Sequence, residues 1–347
     1  MMKRNCFKTP IGLIIGRFQP FHNAHHKIIK YALQKYNRVI VIIGSNRHAR
    51  DVHNPFSMSE RSNMIMSAFS EQEKKQLTIS TVRDYIYNDN MWISEVQRIV
   101  DDLNKEEVDI CLVGHQRDDS SFYLNLFPQW GFDEVGKLEN DISASDIRKT
   151  FFTCSDWVDL VSDKLPKHVI DELKHFKTTK NYYNLVEEYK FVESYKSQWN
   201  SAPYPPIFVT VDSVVVKSGH VLLVRRKSAP GKNLYAFPGG YLQQKEIIVE
   251  GAIRELKEET GIKVSKTDLI KSIKNSHVFD NPNRDLRGRI ITHGFYIDLG
   301  AGALPHVKGG DDAADAWWVP LHEAFTSDDC FYADHWHILN YFTFGKM

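Results

Sequence analysis

Short apolar runs recur through the first half of the chain, each followed by a polar loop and then a helical pattern. Residues 11–15 run to Gly16, 39–43 to Gly44 and Ser45, and 110–113 to Gly114 and His115, with a further run at 78–82. Between them, 25–35, 59–70 and 93–103 read as helices. Strand, loop and helix in repetition predict a doubly wound parallel sheet, with ligands expected beyond the strand ends. From 146 to 199 the pattern is mostly helical, with Pro166 starting the helix KHVIDELKHF. The aromatic and charged segment 184–199 suits a core helix of the first domain or a connector.

The Pro-dense stretch 201–206 (SAPYPP) is expected to be extended and stiff, and it sets a boundary between domains 1–200 and 201–347. Beyond it the pattern changes. Segments 208–216 and 220–225 form a hairpin about Lys217, Ser218 and Gly219, with further strands expected at 264–275, 289–298 and 316–319. A helix is expected from 249 to 260, stopped by Gly261 at the C-cap position. Together with a C-terminal helix this predicts an α+β domain with a mixed sheet.

On the 249–260 helix Glu255, Glu258 and Glu259 stand at i, i+3 and i+4, while Ala252, Ile253 and Leu256 face a core. A solvated acidic helix is the ordinary explanation of such a cluster. Closely spaced carboxylates on a rigid element also suit Mg²⁺ or Mn²⁺ shared with substrate phosphates. Gly240, Glu246, Arg254 and Gly261 complete a pattern with the three glutamates, and the family resemblance this pattern carries is what favours the second reading. The stretch 240–262 resembles the Nudix box of hydrolases that cleave a nucleoside diphosphate linked to another group. The resemblance implies metal binding by Glu255, Glu258 and Glu259, with catalysis at Glu258 and Glu259, and an orienting pair formed by Glu246 and Arg254. The general base stays open between the box glutamates and the acidic loop holding Asp311, Asp312 and Asp315.

At the other end, Gly16, Arg17, Phe18, Gln19, His22 and His25 lie where the first strand gives way to a helix, a natural place to receive phosphate. The block GRFQPFHNAH resembles the His-x-Gly-His nucleotidyltransferases, in the form of the archaeal-type nicotinamide-mononucleotide (NMN) adenylyltransferases, with Ala24 in place of the glycine. Residues 142–148 (ISASDIR), 54–61 (NPFSMSER) and 84–92 are similar to other segments of that family. The resemblance implies a Rossmann-like domain. His22, His25, Arg17 and Arg148 would act on the triphosphate, and Gly16, Phe18, Gln19, Ser143 and Ser145 would bind ATP. Trp92 and Asn88 would bind NMN.

Segment 279–289 resembles that of ADP-ribose-directed Nudix proteins, with Leu286 in place of a proline, and this implies that Arg284, Arg287 and Arg289 bind ADP-ribose. The two resemblances together imply NAD synthesis from ATP and NMN by the first domain, and ADP-ribose hydrolysis to AMP and ribose 5-phosphate by the second. Mg²⁺ or Mn²⁺ is expected at both sites. The rivals are another acceptor for the adenylyl group, another nucleoside diphosphate for the Nudix domain, or a Nudix domain that senses ADP-ribose.

Composition adds limits. The 347 residues suffice for two domains, and 44 Lys and Arg balance 44 Asp and Glu. Net charge therefore gives no argument for a nucleic-acid or membrane partner. Cys6, Cys111, Cys154 and Cys330 are scattered, without C-x-x-C spacing, which speaks against a disulfide framework or zinc site. The first apolar run is too short for a signal peptide or membrane span, so a cytoplasmic location is expected. Homo-oligomerisation is left open.

Overall fold

The computed structural model describes residues 10–115, 125–136, 142–310 and 313–344. The chain divides into two compact units, one ending at Val186 and the other beginning at Glu187. None of the helices among the described residues is long and apolar enough to cross a membrane.

In the first unit, β1 (Ile11–Gly16), β2 (Val39–Ile43), β3 (Leu77–Thr81), β4 (Ile110–Gly114) and β5 (Gly131–Glu134) form one sheet in the order β3-β2-β1-β4-β5. Every pairing is parallel, as the strand–helix alternation predicts. The helices of this unit are α1 (Asn23–Lys35), α2 (Met58–Met66), α3 (Glu71–Lys74), α4 (Asp89–Leu103), α5 (Ala144–Thr153), α6 (Trp157–Val161) and α7 (Lys167–Phe176). Helix α8 (Lys180–Ser197) carries the chain on, with the division between the units inside it. Leu13, Ile15, Ile40 and Ile42 share a core with Val96, Ile99 and Val100 of α4. β5 went unread in the sequence because it is a short edge strand, exposed at Gly131, Phe132 and Glu134 and without a buried side to set a pattern.

The second unit holds β6 (Ile207–Lys217), β7 (His220–Arg226), β8 (Tyr235–Ala236), β9 (Gly239–Tyr241), β10 (Ile273–Phe279), β11 (Arg289–Asp298) and β12 (Ala313–Pro320). Its main order is β10-β11-β6-β7-β12, with β8 on β7 and β9 on β6. β6 runs parallel to β11 and antiparallel to β7 and β9, so the sheet is mixed. The helices are α9 (Ile248–Thr260), α10 (Lys266–Lys271), α11 (Leu321–Thr326) and α12 (His335–Phe344).

α9 buries Ala252, Ile253 and Leu256 against Val211, Val215 and Leu222, the face the sequence spacing assigned to the core. Full burial of a side chain such as Ile253 or Leu256 contributes about 1.5–3 kcal/mol. Gly261 ends the helix in the left-handed region, at φ 55. One expectation is corrected. The segment 264–275 is not a continuous strand, because α10 occupies its middle. The Ser265 side chain accepts from the Asp268 backbone N–H, a local cap that outweighs the β-branched residues around it.

Candidate active sites

The first site forms at the carboxyl ends of β1, β2 and β3. Their loops are stitched together: Gly44 N–H donates to the Gly16 carbonyl at 2.9 Å, and Asn46 N–H to the Val82 carbonyl at 3.0 Å. Arg61, 1% exposed, reaches from α2 to the carbonyls of Arg17, Gly44 and Ser45 at 2.8, 2.6 and 3.1 Å. Sequence similarity pointed to its segment, but only the structure shows its work, which is to brace the loop that follows β1.

Gln19 is buried and joins Phe56 at both ends of its amide, donating to the Phe56 carbonyl and accepting from the Phe56 N–H, each at 3.0 Å. Phe18 is also buried, its ring 4.8 Å from that of His25. These two side chains shape the loop from inside.

His22 is the N-cap residue of α1, and its ring stacks on that of His25 with centroids 3.6 Å apart. The His22 N–H donates to Nδ1 of His25 at 3.4 Å. Nδ1 is therefore an acceptor, and in the neutral ring the proton sits on Nε2 as a donor. Burial, and then His22, hold the His25 pKa well below the ordinary histidine value, so the ring is neutral near pH 7.

Arg148 on α5 is buried and donates to the Gln19 carbonyl at 2.6 Å and to the Ser145 hydroxyl at 3.0 Å. Both partners are neutral, which leaves the positive charge available to an anion. Burial lowers the Arg148 pKa to about 10, and the charge of Arg17 adds to the effect. Arg17 itself is exposed. Ser143 is the N-cap of α5, accepting from the Asp146 N–H at 3.3 Å.

Asn88 caps α4 by accepting from the Met91 N–H at 3.1 Å. Trp92 follows one turn on, packed on the core with its ring 5.9 Å from Phe127. Both stand at the start of the helix that follows β3, on the same sheet edge as the β1 loop. The loop thus joins two stacked histidines to arginine charge with neutral partners, an arrangement suited to a polyphosphate.

The second site is a cavity of about 410 Å³ bounded by β6, β9, α9 and the loop before β11. Of the three α9 carboxylates, Glu255 and Glu259 line it. Glu258 faces outward, with its side chain 45% exposed. Arg254 gathers the acids. It grips both oxygens of Glu246 at 2.7 and 2.9 Å, and its Nη1 donates to Glu255 at 2.7 Å and to Glu258 at 2.8 Å. The grip holds the Glu246 pKa down to about 2 and raises that of Arg254.

Glu259 is 7% exposed and accepts from the Gly239 N–H at 3.0 Å. Burial pushes its carboxyl up to about 8, with the charge of Glu255 also contributing. The Gly239-Gly240 pair permits this closeness. A Cβ at Gly239 would lie 2.2 Å from the Val211 carbonyl oxygen, and one at Gly240 2.6 Å from Oε1 of Glu255. Glu255 and Glu259 offer the oxygen ligands that a hard divalent cation takes, while among the described residues no three such side chains converge into a ready-made metal site.

Asp212 was missed in the sequence. It lines the cavity, accepts from the Thr292 hydroxyl at 2.6 Å and stands 3.8 Å from Arg284. Burial raises its pKa. The available signal was an acid inside the apolar run of β6 (IFVTVDSVVV), a position that strand burial disfavours unless the group has work to do.

Among the arginines expected to meet ADP-ribose, Arg284 and Arg287 line the cavity and Arg289 does not. Arg289 donates to the Asp280 carbonyl at the start of β11. Arg287 pairs with Asp285 at 2.8 Å, and its guanidinium lies 5.4 Å from the centre of the Tyr241 ring. Arg284 makes a two-point pair with Asp334, both contacts at 2.9 Å, and Asp334 is 0% exposed. Asp334→Ala removes the two-point carboxylate from a buried guanidinium and leaves it Asp212 at 3.8 Å, and the expected loss is about 3 kcal/mol, read as a lower melting temperature of the second unit. Asp315 lies in β12, exposed and in register with Arg225, and is not among the residues lining the cavity. Asp311 and Asp312 lie outside the described residues. The described Cys111, Cys154 and Cys330 are all free thiols.

Comparison with known proteins gives each unit a counterpart. The cytidylyltransferase-like family model matches residues 13–150, and the NUDIX domain model matches residues 207–342. A nicotinamide/nicotinic acid mononucleotide adenylyltransferase of Acinetobacter baylyi is 34% identical, over 54% of this chain and 97% of its own length. An ADP-ribose pyrophosphatase of Methanocaldococcus jannaschii is 39% identical over 33% of this chain and 62% of its own. The crystal structure of a bifunctional NMN adenylyltransferase/ADP ribose pyrophosphatase from Francisella tularensis, complexed with AMP and a manganese ion, superposes with a TM-score of 0.87 at 34% identity. That match covers 96% of this chain and 98% of the Francisella one, so it takes in both units and the helix that carries the chain from one to the other. By that extent of likeness, the chain belongs to the family of bifunctional NMN adenylyltransferase/ADP-ribose pyrophosphatases.

Proposed function

We propose that the first unit joins ATP and NMN into NAD⁺ and pyrophosphate, and that the second hydrolyses ADP-ribose to AMP and ribose 5-phosphate. The observation that carries this reading is the likeness to the Francisella enzyme over 96% of this chain.

In adenylyl transfer an NMN phosphate oxygen attacks the α-phosphorus of ATP, and the bond to the β-phosphate bridging oxygen breaks. Pyrophosphate leaves with its electron pair, so the protein's task is to position the reactants and neutralise charge. Arg17 and Arg148 supply charge to the triphosphate, and His22 and His25 supply ring N–H donors. The neutral His25 ring donates from Nε2 without needing a proton from solvent. Ser145 orients Arg148 and Ser143 fixes the start of α5, while Gly16, Phe18 and Gln19 set the course of the loop. Trp92 and Asn88, at the start of the helix after β3, would serve the NMN half of the reaction.

In the hydrolase unit Glu255 and Glu259, which line the cavity, and Glu258, tied to Glu255 through Arg254, would hold Mg²⁺ or Mn²⁺. The metal, when bound, polarises the diphosphate and lowers the pKa of the attacking water. Arg254 and Glu246 orient the acids, and Arg287 and Arg284 place positive charge on the cavity wall for the diphosphate. Asp212 adds a further carboxylate beside Glu259.

Product chromatography tests the proposal. The purified chain with Mg²⁺ should convert NMN and ATP into NAD⁺ and pyrophosphate, and ADP-ribose into AMP and ribose 5-phosphate. A chelator should stop the second conversion. Absence of AMP from ADP-ribose in the presence of Mg²⁺ and Mn²⁺ would overturn the hydrolase assignment.

A further inference from the structure

The aromatic rings around the second cavity are not equally available to a ligand. Tyr241 is covered by the Arg287 guanidinium, and its hydroxyl is bonded to that of Tyr195 at 3.0 Å. The Tyr332 ring lies under Arg226, whose guanidinium is 4.1 Å from its centre. Phe237 is 1% exposed. Phe191 differs from these: it lines the cavity and is 40% exposed. It comes from α8, in the part that belongs to the second unit.

Its place on the cavity wall is fixed from both sides along the helix. Three residues before it, Glu188 accepts from the Gly231 N–H at 2.8 Å, in the loop between β7 and β8. Four residues after it, Tyr195 joins Tyr241 on β9. Residues at i−3, i and i+4 share one helix face, so the two anchors hold the stripe that carries Phe191 against the site. An exposed Phe held this way offers an apolar face at a cavity whose other walls are arginines and carboxylates.

We propose that Phe191 is a specificity-determining residue of the second site, its ring stacking on the flat base of the nucleoside half of the diphosphate substrate. This rests on the hydrolase reading of the cavity. Stacking of a base on an aromatic ring is worth about 1–3 kcal/mol, and the lower half of that range corresponds to about five- to thirtyfold in affinity. The arginines and metal ligands serve the diphosphate, so Phe191 should act on binding more than on turnover.

The products give a clean test, since AMP and ribose 5-phosphate both carry a ribose phosphate and only AMP carries a base. Inhibition of ADP-ribose hydrolysis by each is measured for the original chain, Phe191→Ala and Phe191→Trp. The expected result for Phe191→Ala is AMP inhibition weakened about five- to tenfold, ribose 5-phosphate inhibition unchanged and kcat within about twofold. Phe191→Trp should restore the preference for AMP. Equal loss for both inhibitors, failure of Phe191→Trp to rescue, or no change at all would overturn the proposal. Hydrolysis of ADP-ribose by the original chain without preference for AMP would sink the stacking role and leave the function standing. No hydrolysis by the original chain would instead sink the function itself.

Discussion

Glu259→Gln should lower kcat/KM for ADP-ribose by about 10²–10³ or more, and leave NAD⁺ formation within about twofold. The substitution keeps shape and an acceptor for the Gly239 N–H, the one hydrogen bond shown to this side chain. It removes the carboxyl that would ionise on meeting a divalent cation, and with it a ligand. Manganese titration should show weaker binding by the variant, and an unchanged melting temperature should show that the fold is intact. Wild-type hydrolysis by Glu259→Gln would remove this carboxylate from the mechanism.

Arg148→Ala should lower kcat/KM for NAD⁺ formation by a similar factor, about 10²–10³, and spare ADP-ribose hydrolysis. Arg148 donates to two neutral oxygens and is buried, so its charge is directed inward at low screening. Arg148→Lys keeps the charge but cannot reach the Gln19 carbonyl and Ser145 hydroxyl with two ends of one planar group. It should recover only part of the loss. Steady-state rates with ATP varied at saturating NMN measure both variants.

Much of this was legible because periodicity survives in sequence where an element has one buried side. The helix expected at 249–260 is α9, and the run 39–43 is β2. Legibility failed where a side chain's partner is distant in sequence. Arg284 could be picked out from its segment, but not the fact that Asp334, fifty positions on, holds its guanidinium in the cavity wall. Gln19 is likewise committed to Phe56. Asp212 was overlooked because its neighbours say only strand, and the hydroxyl that satisfies it comes from Thr292 on β11. The short cap at Ser265 shows the reverse case, where a local hydrogen bond decided an element that apolar content had suggested otherwise.

The central claim is that one chain carries two separate chemistries, and crossing two variants tests it most directly. Both activities are measured in His25→Ala and in Glu259→Gln. The account predicts that His25→Ala loses NAD⁺ formation and keeps ADP-ribose hydrolysis, while Glu259→Gln does the opposite. Loss of both activities in either folded variant would contradict it.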